Sequence, residues 1–283
     1  AGPPAGRHLS PGLVRLAVLS IGVSGFTSLA YESLWTRALL RYLYNSTYAF
    51  TTMLAVFLAG IALGSWLYMA LPYRKTHPIR VFAVLEVAIG VGFLLSAHLF
   101  EDLWSIISVL LVKGAVQSFA DSIQTLVAGS VLILFFPALC LGATVPLVTE
   151  ICTRNLDAVG RAVGRVYAVN TGGAILGTLI LTFVLIPAIG MHGSLLLLIG
   201  MNLAIGAALL IGDLDTVRSR LSTGVAFGAM FLAVALAMPS DLFRRTFSGL
   251  NIVFYQEGVT DTVGVAQSPN GQRIITYEDQ RGT

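Results

Sequence analysis

Few side chains in this sequence have chemistry to offer, and two carboxylates stand out for their surroundings. Glu32 lies in "AYESLWTR" and Glu86 in "FAVLEVAIGVGF", both at or inside long apolar runs. A carboxylate in hydrocarbon is costly, so it marks an ion path, a substrate contact or a polar joint between helices. Arg37, Arg161 and Arg165 are basic residues near the ends of such runs, and Asn170 is an amide inside one. On a helix, Glu32 and Arg37 stand about 140° apart around the axis and cannot share a face. Arg37 and Arg41, at i and i+4, do share one. Glu32 therefore needs a partner from another helix or from the Asn45–Tyr48 loop, or it reaches interfacial water. It reads as a joint residue holding the first helix end to a neighbour, with Trp35 in the aromatic belt at that level. Glu86 is expected at the depth of Arg161 and Arg165, in contact with that region.

Other site chemistries find no footing in the sequence. His8, His77, His98 and His192 are scattered without metal-ligand spacing. Cys140 and Cys152 form no Cys-x-x-Cys motif, so neither a disulfide framework nor a metal site is expected. There is no phosphate loop and no nucleophile elbow. The pair Gly172–Gly173 falls inside a helical run, not after a strand, so it is not a nucleotide-binding turn. No catalytic residue, metal or cofactor is expected.

The elements that must position these residues are set by composition. The chain is 56% hydrophobic and 11% charged, with a mean hydropathy of +0.83, whereas a soluble domain carries about 25% charged residues. Its solvent is lipid, and a helix crosses a hydrocarbon core with about 20 apolar residues. The expected fold is an all-α polytopic membrane protein of about seven transmembrane helices, followed by a short β-hairpin tail. The segments fall near 13–36, 48–71, 79–100, 123–149, 164–187, 193–212 and 221–238. Residues 1–12 form an N-terminal tail, 13–238 the membrane domain and 239–283 an extramembrane tail. An interfacial helix is expected near 102–119, where Lys113 and flanking acids interrupt the apolar run. In the tail, "NIVFYQEG", "VGVAQ" and "QRIITYE" carry strand formers, and "SPNG" supplies a turn. A lone hairpin is marginal in water, so the tail either packs on the membrane part or begins a soluble domain.

The net charge of +3 is small, and the basic residues fall in loops. They read as topology determinants, not as a nucleic-acid surface. With the N-terminus inside, Arg and Lys favour the inner side by about two to one. That places the N-terminus in the cytoplasm of a bacterial inner membrane and the tail in the periplasm.

Two further patterns concern packing. Gly60 and Gly64, and later Gly172, Gly173 and Gly177, are small residues at near-helical spacing that let helix backbones approach closely in lipid. Pro137, Gly142 and Pro146 share one segment and must disturb its hydrogen-bond ladder. Either neighbouring helices satisfy the freed carbonyls at a kink, or the carbonyls bind a cation or substrate.

"YESLWTR", "STYAFTTMLAVFLAGIALGS", "FPALCLGATVPLV" and "GRAVGRVYAVNTGGAILGTLILTFVLIPAIG" occur in that order. In this order they resemble the membrane portion of bacterial spermidine synthase-like multi-pass proteins, the fused transporter/spermidine synthases. The tail looks like the entry to the N-terminal β-region of an aminopropyltransferase-like domain. The resemblance implies a Rossmann-like soluble part whose nucleotide loop and acidic catalytic residues lie downstream of that β-region. None of them is in this sequence, so it assigns no catalytic residue here. Three functions follow. The first is a membrane anchor and scaffold for a spermidine synthase-like domain. The second is an accessory structural subunit of a larger respiratory or photosynthetic complex. The third is a small-solute transporter lined by Glu32, Glu86, Asn170 and Asn202. The partners are lipid and other protein, not nucleic acid.

Overall fold

A computed structural model describes residues 10–42, 47–70, 77–102, 119–153, 159–214, 216–239, 251–259, 262–267 and 272–277. Among the described residues, six helical stretches are long and apolar enough to cross a membrane: Pro11–Leu39, Phe50–Ala70, Pro78–Phe100, Leu126–Cys152, Val159–Asp213 and Val217–Ala237. Apolar runs take this form because lipid offers the backbone no hydrogen-bond partner and a helix satisfies its own. This is a mostly helical, multi-pass membrane protein.

The helices are α1 (Pro11–Tyr42), α2 (Thr47–Ala70) and α3 (Pro78–Glu101). Next, α4 (Phe119–Ser130) runs through a π-helical turn, Val131–Phe135, into α5 (Phe136–Cys152). Likewise α6 (Val159–Ile180) runs through a second π-helical turn, Leu181–Leu185, into α7 (Ile186–Asp213), and α8 (Val217–Ala237) follows. The most extensive interfaces join α1 to α6, α2 to α5 and α3 to α7. The interfacial helix expected near 102–119 lies, apart from its end residues, outside the described residues.

The segments expected at 164–187 and 193–212 both fall within the one stretch Val159–Asp213, on either side of a kink at Gly190. The chain nevertheless turns inside the long stretch. Gly190 has φ 71° and ψ 175°, a conformation that is essentially confined to glycine. Contacts on its two sides run in opposite directions. Before it, Gly173 and Gly177 of α6 lie on Gly22 and Phe26 of α1, rising together. After it, Asn202 of α7 bonds Tyr31 of α1 while Gly212 lies on Leu13, so the numbering runs oppositely.

The proline-bearing segment is not broken. A proline at i leaves the carbonyl at i−4 without its helical donor. For Pro137 that carbonyl belongs to Ile133, and the Ser96 hydroxyl of α3 donates to it at 2.6 Å. For Pro146 it belongs to Gly142, and the Ser65 hydroxyl of α2 donates to it at 2.6 Å. The wide turn Val131–Phe135 ends two residues before Pro137. Gly142 also serves packing: a Cβ there would strike the Ile61 backbone of α2. It is the packing counterpart of Gly64, which lies on the Leu139 backbone of α5, and of Gly60, whose Cβ would sit 2.7 Å from that of Ala138. Ser65→Ala and Ser96→Ala are each expected to cost about 1 kcal/mol, because each orphans a buried carbonyl. Pairing Ser65→Ala with Pro146→Ala should recover the loss, since the alanine N–H then serves Gly142. An additive double mutant in detergent unfolding would remove this account.

Three antiparallel strands complete the chain in the order β1 (Asn251–Glu257), β2 (Thr262–Gln267) and β3 (Arg273–Tyr277). The pair β2–β3 flanks the "SPNG" stretch, and β1 adds to it with a bulge between Ile252 and Phe254. The three strands fall on the three stretches of strand formers in the sequence, so the sheet has one strand more than the expected hairpin. The sheet meets the bundle at one end. Glu257 accepts a hydrogen bond from the backbone N–H of Met191, and Arg37 donates to the Val259 carbonyl at 3.2 Å.

Candidate functional site

Where α1, α3 and α7 meet, the apolar interior gives way to a polar cluster. Asn202 stands at its centre. Its amide Nδ2 donates to Glu86 Oε2 at 2.7 Å and to Thr27 Oγ1 at 3.3 Å. Its Oδ1 accepts from the Tyr31 hydroxyl at 2.9 Å. Thr27 in turn donates to the Ser24 carbonyl at 3.0 Å. Glu86, Asn202, Thr27 and Tyr31 are all 0% exposed. The Ser24 hydroxyl neighbours the carboxyl of Glu86, but no well-formed hydrogen bond reaches Oε1. Glu86 is eight residues beyond Pro78, about 12 Å along the axis, and Asn202 is eleven before Asp213, about 16 Å. In a hydrocarbon layer about 30 Å thick, both stand near the middle.

Helix periodicity builds this cluster. Ser20, Ser24, Thr27 and Tyr31 are spaced four, three and four apart, so they share one stripe of α1, and all are buried. The Tyr31 ring stacks on Phe93 of α3 with centroids 3.7 Å apart. At Gly90 α7 lies in ordinary contact with α3: a Cβ there would be 3.5 Å from the Ile199 carbonyl and 3.6 Å from Cβ of Asn202. The arrangement holds a carboxyl among neutral donors, with no cation beside it among the described residues.

Glu86 thus has a polar partner, but not the expected one. Arg161 and Arg165 are exposed on α6, and the amide of α7 takes their place because α3 packs on α7. Asn170 faces α1, where a Cβ on Gly25 would come 2.7 Å from its Oδ1. Glu32 is half-buried and has no hydrogen-bond partner among the described residues. Its neighbour Tyr31 is the residue of "AYESLWTR" that reaches the interior site. Trp35 is not in an interfacial belt: it is fully buried, edge-on to Phe100 at 5.4 Å. Gly173 and Gly177 pack on α1, whereas a Cβ on Gly172 would meet nothing within 4 Å. Sequence reasoning missed Tyr31, Thr27 and Ser24, although their spacing on an otherwise apolar helix carried the signal.

A second polar arrangement lies at the sheet end. The Glu257 carboxylate takes the Met191 N–H through Oε2 and the Tyr255 hydroxyl at 2.6 Å through Oε1. Ser194 donates to the Gly190 carbonyl at 2.6 Å. A carboxylate there suits the positive end of the helix that starts after Gly190. The side chain closes the turn from outside the membrane bundle.

The fold and the buried polar centre define a multi-pass helical membrane protein with a mid-membrane carboxyl cluster. No protein-family model, curated protein or solved structure matches the chain.

Proposed function

We propose that this chain is the membrane anchor and scaffold region of a spermidine synthase-like protein of the bacterial inner membrane, without catalytic residues of its own. The observation that carries the scaffold role is the tie between sheet and bundle. Glu257 of β1 caps the helix after Gly190, and Arg37 of α1 holds the Val259 carbonyl. A segment fixed at both points presents whatever follows it at a set distance from the membrane. The family part of the reading rests on the ordered motifs. Counting the reversal at Gly190, the bundle crosses seven times, with α1, α3, α6 and α8 running one way. The N-terminus is then cytoplasmic and the sheet periplasmic. Decarboxylated S-adenosylmethionine is cytosolic, so the role at that face is scaffolding, not aminopropyl transfer.

Glu257→Ala should expose the tail to limited proteolysis in membranes at least about tenfold faster than wild type, since a charge-assisted hydrogen bond contributes about 1.5–3 kcal/mol. Equal cleavage rates would overturn the tie.

A second reading, an accessory subunit of a larger respiratory or photosynthetic membrane complex, is favoured by uncovered packing faces. Cβ atoms on Gly160, Gly164, Gly172, Gly224 and Gly228 would meet nothing within 4 Å, and only 6% of the Val217–Ala237 span is buried. Such faces accept partner helices in lipid. A monodisperse monomer from mild detergent would overturn it.

A further inference from the structure

We propose that Glu86 is a proton-binding site inside the membrane, loaded from the end of the bundle that carries the Arg80–Asp213 ion pair, by way of Ser20 and Ser24. The site has one open lone-pair position. Oε2 is taken by Asn202 Nδ2, while Oε1 has no hydrogen-bond partner and belongs to a side chain that is 0% exposed. An ionised carboxylate held this way is buried with no cation beside it among the described residues, and a proton on Oε1 removes the charge. The step is a simple one. A hydronium at the membrane face gives its proton to Oε1, the neutral carboxyl forms, water is left, and no electrons are transferred.

The ligand is a proton and not a metal cation because of Asn202. Its Nδ2 points a donor into the space between Glu86 Oε2 and Thr27 Oγ1, where a cation would need a third oxygen. Among the described residues, Tyr31 of α1 is the titratable group facing Glu86. From α7 the facing group is the uncharged Asn202, and from α1 the hydroxyl of Ser24.

The buried hydroxyls of α1 lie to one side of Glu86, in a core that is otherwise apolar there (Ile79, Phe82 and Leu209). Ser20 and Ser24 are buried at 4% and 2% exposure and continue the stripe from Thr27 towards the end where Gly212 meets Leu13 and Arg80 binds Asp213 at 2.7 Å. Successive hydroxyls one turn apart are separated by about 6 Å of rise, a gap that one bridging water spans. In the other direction the interior is aromatic. Tyr31 lies flat on Phe93, and Trp35 meets Phe100 edge-on. This inference does not depend on the scaffold reading, since it concerns the bundle interior and not the sheet.

Infrared spectroscopy of the whole chain in lipid nanodiscs, with 13C on the glutamate carboxyls, tests it. At neutral pH the wild type should show a neutral-acid C=O band that carries the isotope shift, moves in D2O, and is absent from Glu86→Gln. Glu86→Asp keeps a carboxyl, so its band should persist but lose the isotope shift; this arm decides the matter if the glutamine variant does not fold. In Ser24→Val the band should remain, with the D2O shift developing at least about tenfold more slowly, as expected on losing a positioned proton-transfer group. Absence of the band in wild type, or a band untouched by both Glu86 variants, overturns the site. Unchanged exchange in Ser24→Val overturns the route. Conversion of the band to a carboxylate by added sodium ions shows a cation site and overturns the proton assignment.

Discussion

Asn202→Leu is expected to destabilise the bundle by about 2–4 kcal/mol, because it removes the partner of two other buried polar groups at once. The Tyr31 hydroxyl and Glu86 Oε2 both depend on the one amide. Thr27 loses less, since its hydroxyl still donates to the Ser24 carbonyl. Interhelical hydrogen bonds in membranes average only about 0.6 kcal/mol, because an unfolded chain in lipid finds other partners. The larger value here comes from the stranded groups. A carboxyl 0% exposed near the bilayer middle has no water to turn to. The same logic sets the control. In Asn202→Leu combined with Glu86→Leu, both partners become apolar, and replacing a buried polar pair together is often close to neutral. The double variant should therefore be more stable than Asn202→Leu alone. Detergent-to-denaturant unfolding of the two proteins measures this. A double variant that loses the sum of the two single effects would show that the cluster does not act as a unit.

The cluster also shows where sequence reading stopped. The apolar stretches were legible because hydropathy and length report directly on lipid as solvent. The break near Gly190 was legible as a gap between segments, but not as a glycine turn in a continuous helical run. That needs the backbone angle and the carboxylate of Glu257, which arrives from 66 residues further along the chain. Glu86 was conspicuous as a charge among apolar residues. Its partner was not, because which helix faces α3 is decided by packing and not by local pattern. Equal depth suggested Arg161 and Arg165, yet the extensive packing of α3 on α7 brings Asn202 in their place. The opposite error occurred at Glu32, where charge drew notice and the neighbouring tyrosine held the site. A tyrosine at a helix end reads as interfacial, but one on a stripe with Thr27 and Ser24 reads as interior. The prolines illustrate a third case. Sequence posed two fates for the freed carbonyls, and only the positions of Ser65 and Ser96 on other helices decide between them.

Gly173→Val and Gly172→Val, adjacent in sequence, are expected to differ by about 3 kcal/mol or more in their effects on stability. A Cβ at 173 would collide with the Gly22 carbonyl group, with its carbon at 2.8 Å, and would lie 3.2 Å from the Phe26 nitrogen. Those atoms are backbone, so no rotamer change relieves the clash, and α1 must move off α6. Those two helices share one of the largest interfaces in the protein, and Gly177 meets the Phe26 backbone one turn further on. The separation would thus propagate along α1 towards Tyr31 and loosen the polar cluster, adding to the direct cost. At 172 the new side chain enters open space. There the change should stay within about 0.5 kcal/mol in the isolated protein. Unfolding midpoints of the two variants in the same detergent provide the comparison. Equal, small effects would mean that α1 and α6 do not meet backbone to backbone. Equal, large effects in the isolated protein would mean that Gly172 is covered by another part of this chain. If Gly172→Val is harmless alone but weakens a larger particle isolated from membranes, its open face is where a partner helix sits.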